Sequence, residues 1–185
     1  MRCFISITLP AEIKRGMTAI QRRLRTSGAD VSWTRPEGMH LTLKFLGEVE
    51  EKGVPKIEAG LDRAANGIGA FSMRVSGVGT FPDIRRPRVV WIGLEEDGDS
   101  LIKLQENVER ELGAIGFPGE KRGFTPHITL GRIRSNRNIE KLLNLINEEK
   151  GVEVGGFGVS SVLLMRSELR PTGAVYTELY SAPLK

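Results

Sequence analysis

The sequence contains only two histidines, His40 in MHLTLKFLGEV and His127 in PHITLGR, and each is followed by threonine two residues on and leucine three on. On an extended strand residues two apart share a face, so His40, Thr42 and Lys44 project one way while Met39, Leu41, Leu43 and Phe45 project the other. The second stretch sets His127 and Thr129 opposite Ile128 and Leu130. Each strand therefore has an apolar face for a core and a polar face to display. Imidazole has an unperturbed pKa near 6.5, so one member of a pair can be neutral and the other protonated at neutral pH. That is the state concerted acid–base catalysis needs. Threonine hydroxyls tolerate strand geometry and donate hydrogen bonds to anionic oxygens. Two imidazoles and two hydroxyls suit a phosphodiester: a base for the nucleophile, an acid for the leaving oxygen, and donors for the non-bridging oxygens.

Other chemistries fit less well. A lone histidine on a strand is more often a hydrogen-bonded structural residue, and it is the repetition that shifts the balance. Two histidines with no cysteine or carboxylate beside them make an incomplete metal set, so no metal or other cofactor is expected. The chain lacks a GxSxG nucleophile context, a GxGxxG after a strand, a GxxxxGK[ST] loop and an HExxH.

The elements that must carry these residues follow from periodicity. RCFISITL alternates as a strand, and AEIKRGMTAIQRRLR places Ile13, Met17, Ile20 and Leu24 at helical spacing. After the first histidine strand, Pro55 suits the opening turn of a helix bearing Ile57 and Leu61, and FSMRVSGVGTF reads as a strand broken at Pro82. RVVWIGL then begins a second round. A helix from about Ser100 presents Leu101, Leu104, Val108, Leu112 and Ile115, and HITLGRI is the second histidine strand. Asn138 is placed to N-cap a helix with Ile139, Leu142, Leu143 and Ile146, and VSSVLLM and AVYTELY close the chain as strands. Each half reads strand, helix, histidine strand, helix, strand. The fold class expected is α+β, internally duplicated and bilobal, forming a single domain over residues 1–185 with lobes of roughly 1–82 and 83–185.

The 185 residues, 39% hydrophobic and 27% charged, suit a globular chain with a sizeable core. MRCFISITLP is too short and poorly flanked for a signal peptide, and no run approaches the roughly 20 apolar residues of a membrane span, so a cytoplasmic protein without membrane association is expected. Cys3, the single cysteine, sits in an apolar alternation and reads as a buried thiol. The net charge of +4 points weakly to polyanions; more telling are Arg85, Arg86 and Arg88 in one turn, and Lys121, Arg122, Arg132, Arg134 and Arg137 flanking the second histidine.

Two HxT motifs about ninety residues apart in a duplicated α+β chain resemble the 2H phosphoesterase superfamily. FISITLP, MHLTLKFLGEV, GVGTFP, PRVVWIG, FTPHITLGR and SELRPTGAVYTEL are similar to the RNA 2′,3′-cyclic phosphodiesterases, also called 2′-5′ RNA ligases. The resemblance implies two antiparallel sheets facing across a central cleft with helices outside, and a hydrolase of RNA processing that opens 2′,3′-cyclic phosphate ends to 2′-phosphates without metal. It further implies reversible 2′-5′ ligation as a companion activity, and RNA ends, tRNA fragments among them, as the partner of a monomeric protein. By carry-over His40 and His127 are the acid–base pair, His127 expected as base and His40 as acid, and Thr42 and Thr129 bind phosphate. Arg132 fills the arginine place of an extended HxTxxR motif, yet strict alternation sends it to the face opposite His127. Either Gly131 permits a bulge that re-aims it, or the side chain reaches round the strand end. Lys44, Phe4 and Trp33 are further candidates for substrate contact, with core packing an equal account of the two aromatics. Two rival readings stay open: a non-catalytic module that holds RNA ends, and a phosphodiesterase for small cyclic phosphates.

Overall fold

A computed structural model describes residues 1–119, 123–171 and 173–185. Cys3 through Ile7 of β1 (Arg2–Thr8) are buried without interruption, so this strand is covered on both faces and needs a neighbour at each edge. Its neighbours are β3 (His40–Glu48) and β8 (Ser161–Arg170), and β9 (Gly173–Pro183) pairs with β8 to complete a four-stranded antiparallel sheet. A second antiparallel sheet runs in the order β2 (Val31–Trp33), β6 (His127–Ile133), β5 (Val89–Glu95), β4 (Phe71–Phe81), β7 (Glu153–Val159). Helices α2 (Val54–Ala65) and α3 (Ser100–Gly113) pack together and cover the first sheet. The second is covered by α1 (Ala11–Arg25) and α4 (Ile139–Glu148).

The α+β class and the paired antiparallel sheets are as expected from the sequence. The two sheets, however, do not follow the repeat stretches 1–82 and 83–185. β4 from the first half pairs in the second sheet, while β8 and β9 from the second half complete the first. The reason lies in β1 and β5: both are interior strands, and each half holds only one of the two neighbours its own interior strand requires. The helices cross over as well, since α1 follows a strand of the first sheet but packs on β7 of the second.

Apolar stripes read from the sequence form the core, with Ile13, Met17, Ile20 and Leu24 of α1 and Leu101, Leu104, Val108 and Leu112 of α3 all buried. Cys3 is buried too. Asn138 precedes α4 as expected but does not cap it through its side chain. It adopts a left-handed conformation (φ 53°), and its Nδ2 donates to the Gly28 carbonyl at 3.1 Å. No described helix is long and apolar enough to cross a membrane.

Candidate active site

β3 and β6 come from different sheets yet touch one another, which brings the two HxT stretches together where the sheets meet. On β3 the register against β1 runs Thr8↔His40, Ser6↔Thr42, then Ile5↔Lys44 and Phe4↔Phe45, skipping Leu43. That skipped residue is a β-bulge, and it reverses the alternation beyond it. His40, Thr42 and Phe45 therefore share the cleft face, and Lys44 turns to the helix-covered face beside Ile5. Lys44 is thus not a substrate contact. Its side chain is fully buried, and Nζ donates to Glu109 Oε2 at 2.6 Å and to the Pro118 carbonyl at 2.9 Å.

β6 repeats the device. Against β5 the register is Gly93↔His127, Trp91↔Thr129, then Val90↔Gly131 and Val89↔Arg132, skipping Leu130. The bulge turns Arg132 onto the face of His127 and Thr129, which answers the orientation question left by strict alternation. Gln21, buried on α1, secures the bulge: its Nε2 donates to the Leu130 carbonyl at 2.7 Å and to the Thr34 carbonyl at 2.8 Å. Glycine is required at 131 because a Cβ there would lie 2.6 Å from Val31 Cγ1 and 3.0 Å from Trp33 Cε3. The same contact places Trp33 on the face away from the cleft, under the Arg25 guanidinium of α1 (5.5 Å to the ring centroid). Trp33 accordingly packs between β6 and α1 and does not share the face of His127 and Thr129.

The two imidazoles are held alike. His127 donates through Nδ1 to the Thr125 carbonyl at 2.7 Å, and because a carbonyl can only accept, neutral His127 keeps its lone pair on Nε2. The Gly38 backbone, again two residues before it, acts on His40 in the sense that favours the protonated ring. Their surroundings differ. The His40 ring stacks on Phe4 at 4.7 Å and meets the edge of Tyr176 at 5.2 Å, whereas His127 meets Phe81 edge-on at 4.8 Å. Burial in this aromatic niche, with the Lys14 charge adding to it, lowers the His40 pKa to about 4. Phe4 is itself sealed, 3% exposed, and backs His40 from beneath. Thr42 and Thr129 are partly exposed and Arg132 is exposed.

Three aromatic residues of the site were not legible as such. Phe45, 63% exposed, occupies in the first motif the place that Arg132 holds in the second, HxTxxF against HxTxxR, so the repeat contained its signal. Phe81 ends β4 just before Pro82. Tyr176 had no local signal, since it reaches the cleft only because β9 joins the sheet of β1 and β3. Burial raises its phenol pKa and the Arg132 charge opposes that rise, so Tyr176 lies within electrostatic reach of the other motif's arginine. Lys121 and Arg122 lie outside the described residues. Among the described residues no three His, Cys, Asp or Glu side chains gather as a metal site.

Such an arrangement can move one proton on and another off around a small anion held by hydroxyls and a guanidinium. The family described as "LigT like Phosphoesterase" matches the chain twice, over residues 7–91 and 92–176. A relative from Methanothermobacter thermautotrophicus, named RNA 2′,3′-cyclic phosphodiesterase, is 38% identical over 179 residues, covering 97% of this chain and 96% of its own. The crystal structure of TT0787 of Thermus thermophilus is similar with a TM-score of 0.82 and 31% identity, over 100% of this chain and 98% of that one. E. coli LigT complexed with 3′-AMP is similar with a TM-score of 0.76 and 25% identity, over 99% and 97%.

Proposed function

The chain belongs to the LigT-like phosphoesterase family of the 2H superfamily, and from that membership we propose that it hydrolyses RNA 2′,3′-cyclic phosphate ends to 2′-phosphates by acid–base catalysis between its two histidines. The observation that carries this reading is that His40 and His127 each share a strand face with a threonine, on two strands bulged at the same place in the motif. His127 Nε2 accepts a proton from water as the water oxygen attacks phosphorus. The bond from phosphorus to the ribose 3′ oxygen breaks, and His40 supplies that oxygen with a proton. Thr42, Thr129 and Arg132 bind the non-bridging oxygens, where donors matched to the developing charge contribute most. Phe45, apolar, exposed and next to the Phe4 ring on which His40 stacks, offers a face for the adjoining base.

In the free protein His40 is neutral at pH 7. The monoanionic phosphodiester places a negative charge by the imidazole and favours its protonated form, so substrate loads the acid. A ribose 5′-hydroxyl in place of water would run the same exchange as ligation. No step requires a metal, and all of residues 1–185 act as one domain because the sheets exchange strands. Incubation of an RNA ending in a 2′,3′-cyclic phosphate with excess chelator tests this directly. A 2′-phosphate product supports the proposal; turnover abolished by chelator and restored by a divalent cation would overturn it. Binding of the RNA without turnover would identify an end-binding module instead.

A further inference from the structure

The loop joining β4 to β5 is exposed and basic. Asp83 Oδ1 accepts from the backbone N–H groups of Arg85 at 2.7 Å and Arg86 at 3.0 Å, which fixes the turn and occupies the loop's only carboxylate. The side chains of Arg85, Arg86 and Arg88 are exposed, and among the described residues none has an acidic partner. At the other end of the same hairpin the pattern reverses, for Arg74 pairs with Asp97 at 2.8 Å and with Glu95 at 3.7 Å. Charge is thus neutralised at one end of β4 and left open at the other.

The open end adjoins the candidate site. Phe81, the last residue of β4, packs on the His127 ring, and the Arg88 carbonyl accepts from the Ile133 N–H at 2.9 Å, directly after Arg132. Arg134 follows on the same rim, with Nη2 donating to Ser32 Oγ at 3.2 Å. Immediately before Arg85 stands Ile84, 56% exposed, an apolar surface on which a base can lie. Guanidinium groups without carboxylate partners, next to an exposed apolar side chain, suit the phosphates and bases of a single strand.

We infer that the Arg85–Arg86–Arg88 loop binds the phosphates of the RNA strand preceding its terminal nucleotide, so that a single-stranded oligonucleotide is a better substrate than a mononucleotide. The inference rests on the cyclic-phosphate reading of the cleft, yet it has its own readout. Fluorescence anisotropy with a fluorescein-labelled RNA octamer ending in an unreactive 3′-phosphate measures strand binding without turnover. An Arg85→Gln/Arg86→Gln double variant, altered only at exposed side chains, should bind the octamer several-fold more weakly. The slope of log K against log salt should become shallower by about 0.7 for each phosphate the variant no longer neutralises. In parallel, kcat/KM for a cyclic-phosphate octamer should fall while that for a 2′,3′-cyclic mononucleotide stays at the wild-type value. Octamer binding equal to wild type, with an unchanged salt slope, would overturn the inference. Absent turnover by the wild-type protein would defeat the hydrolase reading and leave the binding result to decide this one.

Discussion

Holding His40 uncharged has a thermodynamic consequence that can be read without any substrate. An unfolded histidine titrates near 6.5, whereas His40 in the fold takes its proton only near 4, chiefly because its aromatic niche excludes water. Between those values the unfolded chain binds the proton and the native chain does not, so stability is lost as pH falls through that window. That difference corresponds to about 3 kcal/mol at full development, most of which appears between pH 7 and pH 4.5. Urea unfolding of the wild type and of His40→Phe at those two pH values isolates the effect, because carboxylate titration is common to both proteins. The variant should lose about 2 kcal/mol less than the wild type on acidification. Equal losses in the two proteins would refute the claim that His40 is kept neutral by burial.

Other consequences concern the bulges and the charges around them. Gly131→Ala forces a Cβ against Val31 and Trp33, and should destabilise the fold by about 1–3 kcal/mol while lowering kcat through a displaced Arg132, as thermal melts and steady-state rates would show. Gln21→Met removes one donor from the Leu130 carbonyl and should weaken kcat more than it weakens folding; a pure stability loss would deny Gln21 its positioning role. Lys44→Met strands Glu109, and should cost about 2–4 kcal/mol in urea unfolding with kcat within about twofold of wild type. Lys14→Met removes a positive charge that disfavours the His40 imidazolium, so the limb on which kcat/KM falls as the free protein's His40 loses its proton should move to higher pH.

The sequence and the structure part company at two single residues. Alternation correctly gave the faces of His40, Thr42, His127 and Thr129, because no bulge intervenes between each histidine and its threonine. It failed one step later. The bulges at Leu43 and Leu130 send Lys44 inward and Arg132 outward, and nothing in HLTLK distinguishes a bulged strand from a regular one. In the second motif Gly131 was the visible hint, since only glycine fits against Val31 and Trp33. β2 and β7 were unread for related reasons: VSW is three residues long, and EVGGFGV carries three glycines at an edge position. Tyr176 entered the site through the exchange of strands between halves, a long-range pairing that no local pattern encodes.

The division of labour between the histidines can be tested with one chemical change in substrate. Rates for His40→Ala and His127→Ala should each fall by about 10²–10⁴ on a 2′,3′-cyclic phosphate, the range for a positioned proton transfer. When sulfur replaces the 3′ leaving oxygen, the departing thiolate needs no proton. His40→Ala should then recover most of its rate, and His127→Ala should remain impaired. Recovery by His127→Ala instead would exchange the acid and base, and wild-type rates in either variant on the oxygen substrate would contradict two-histidine catalysis.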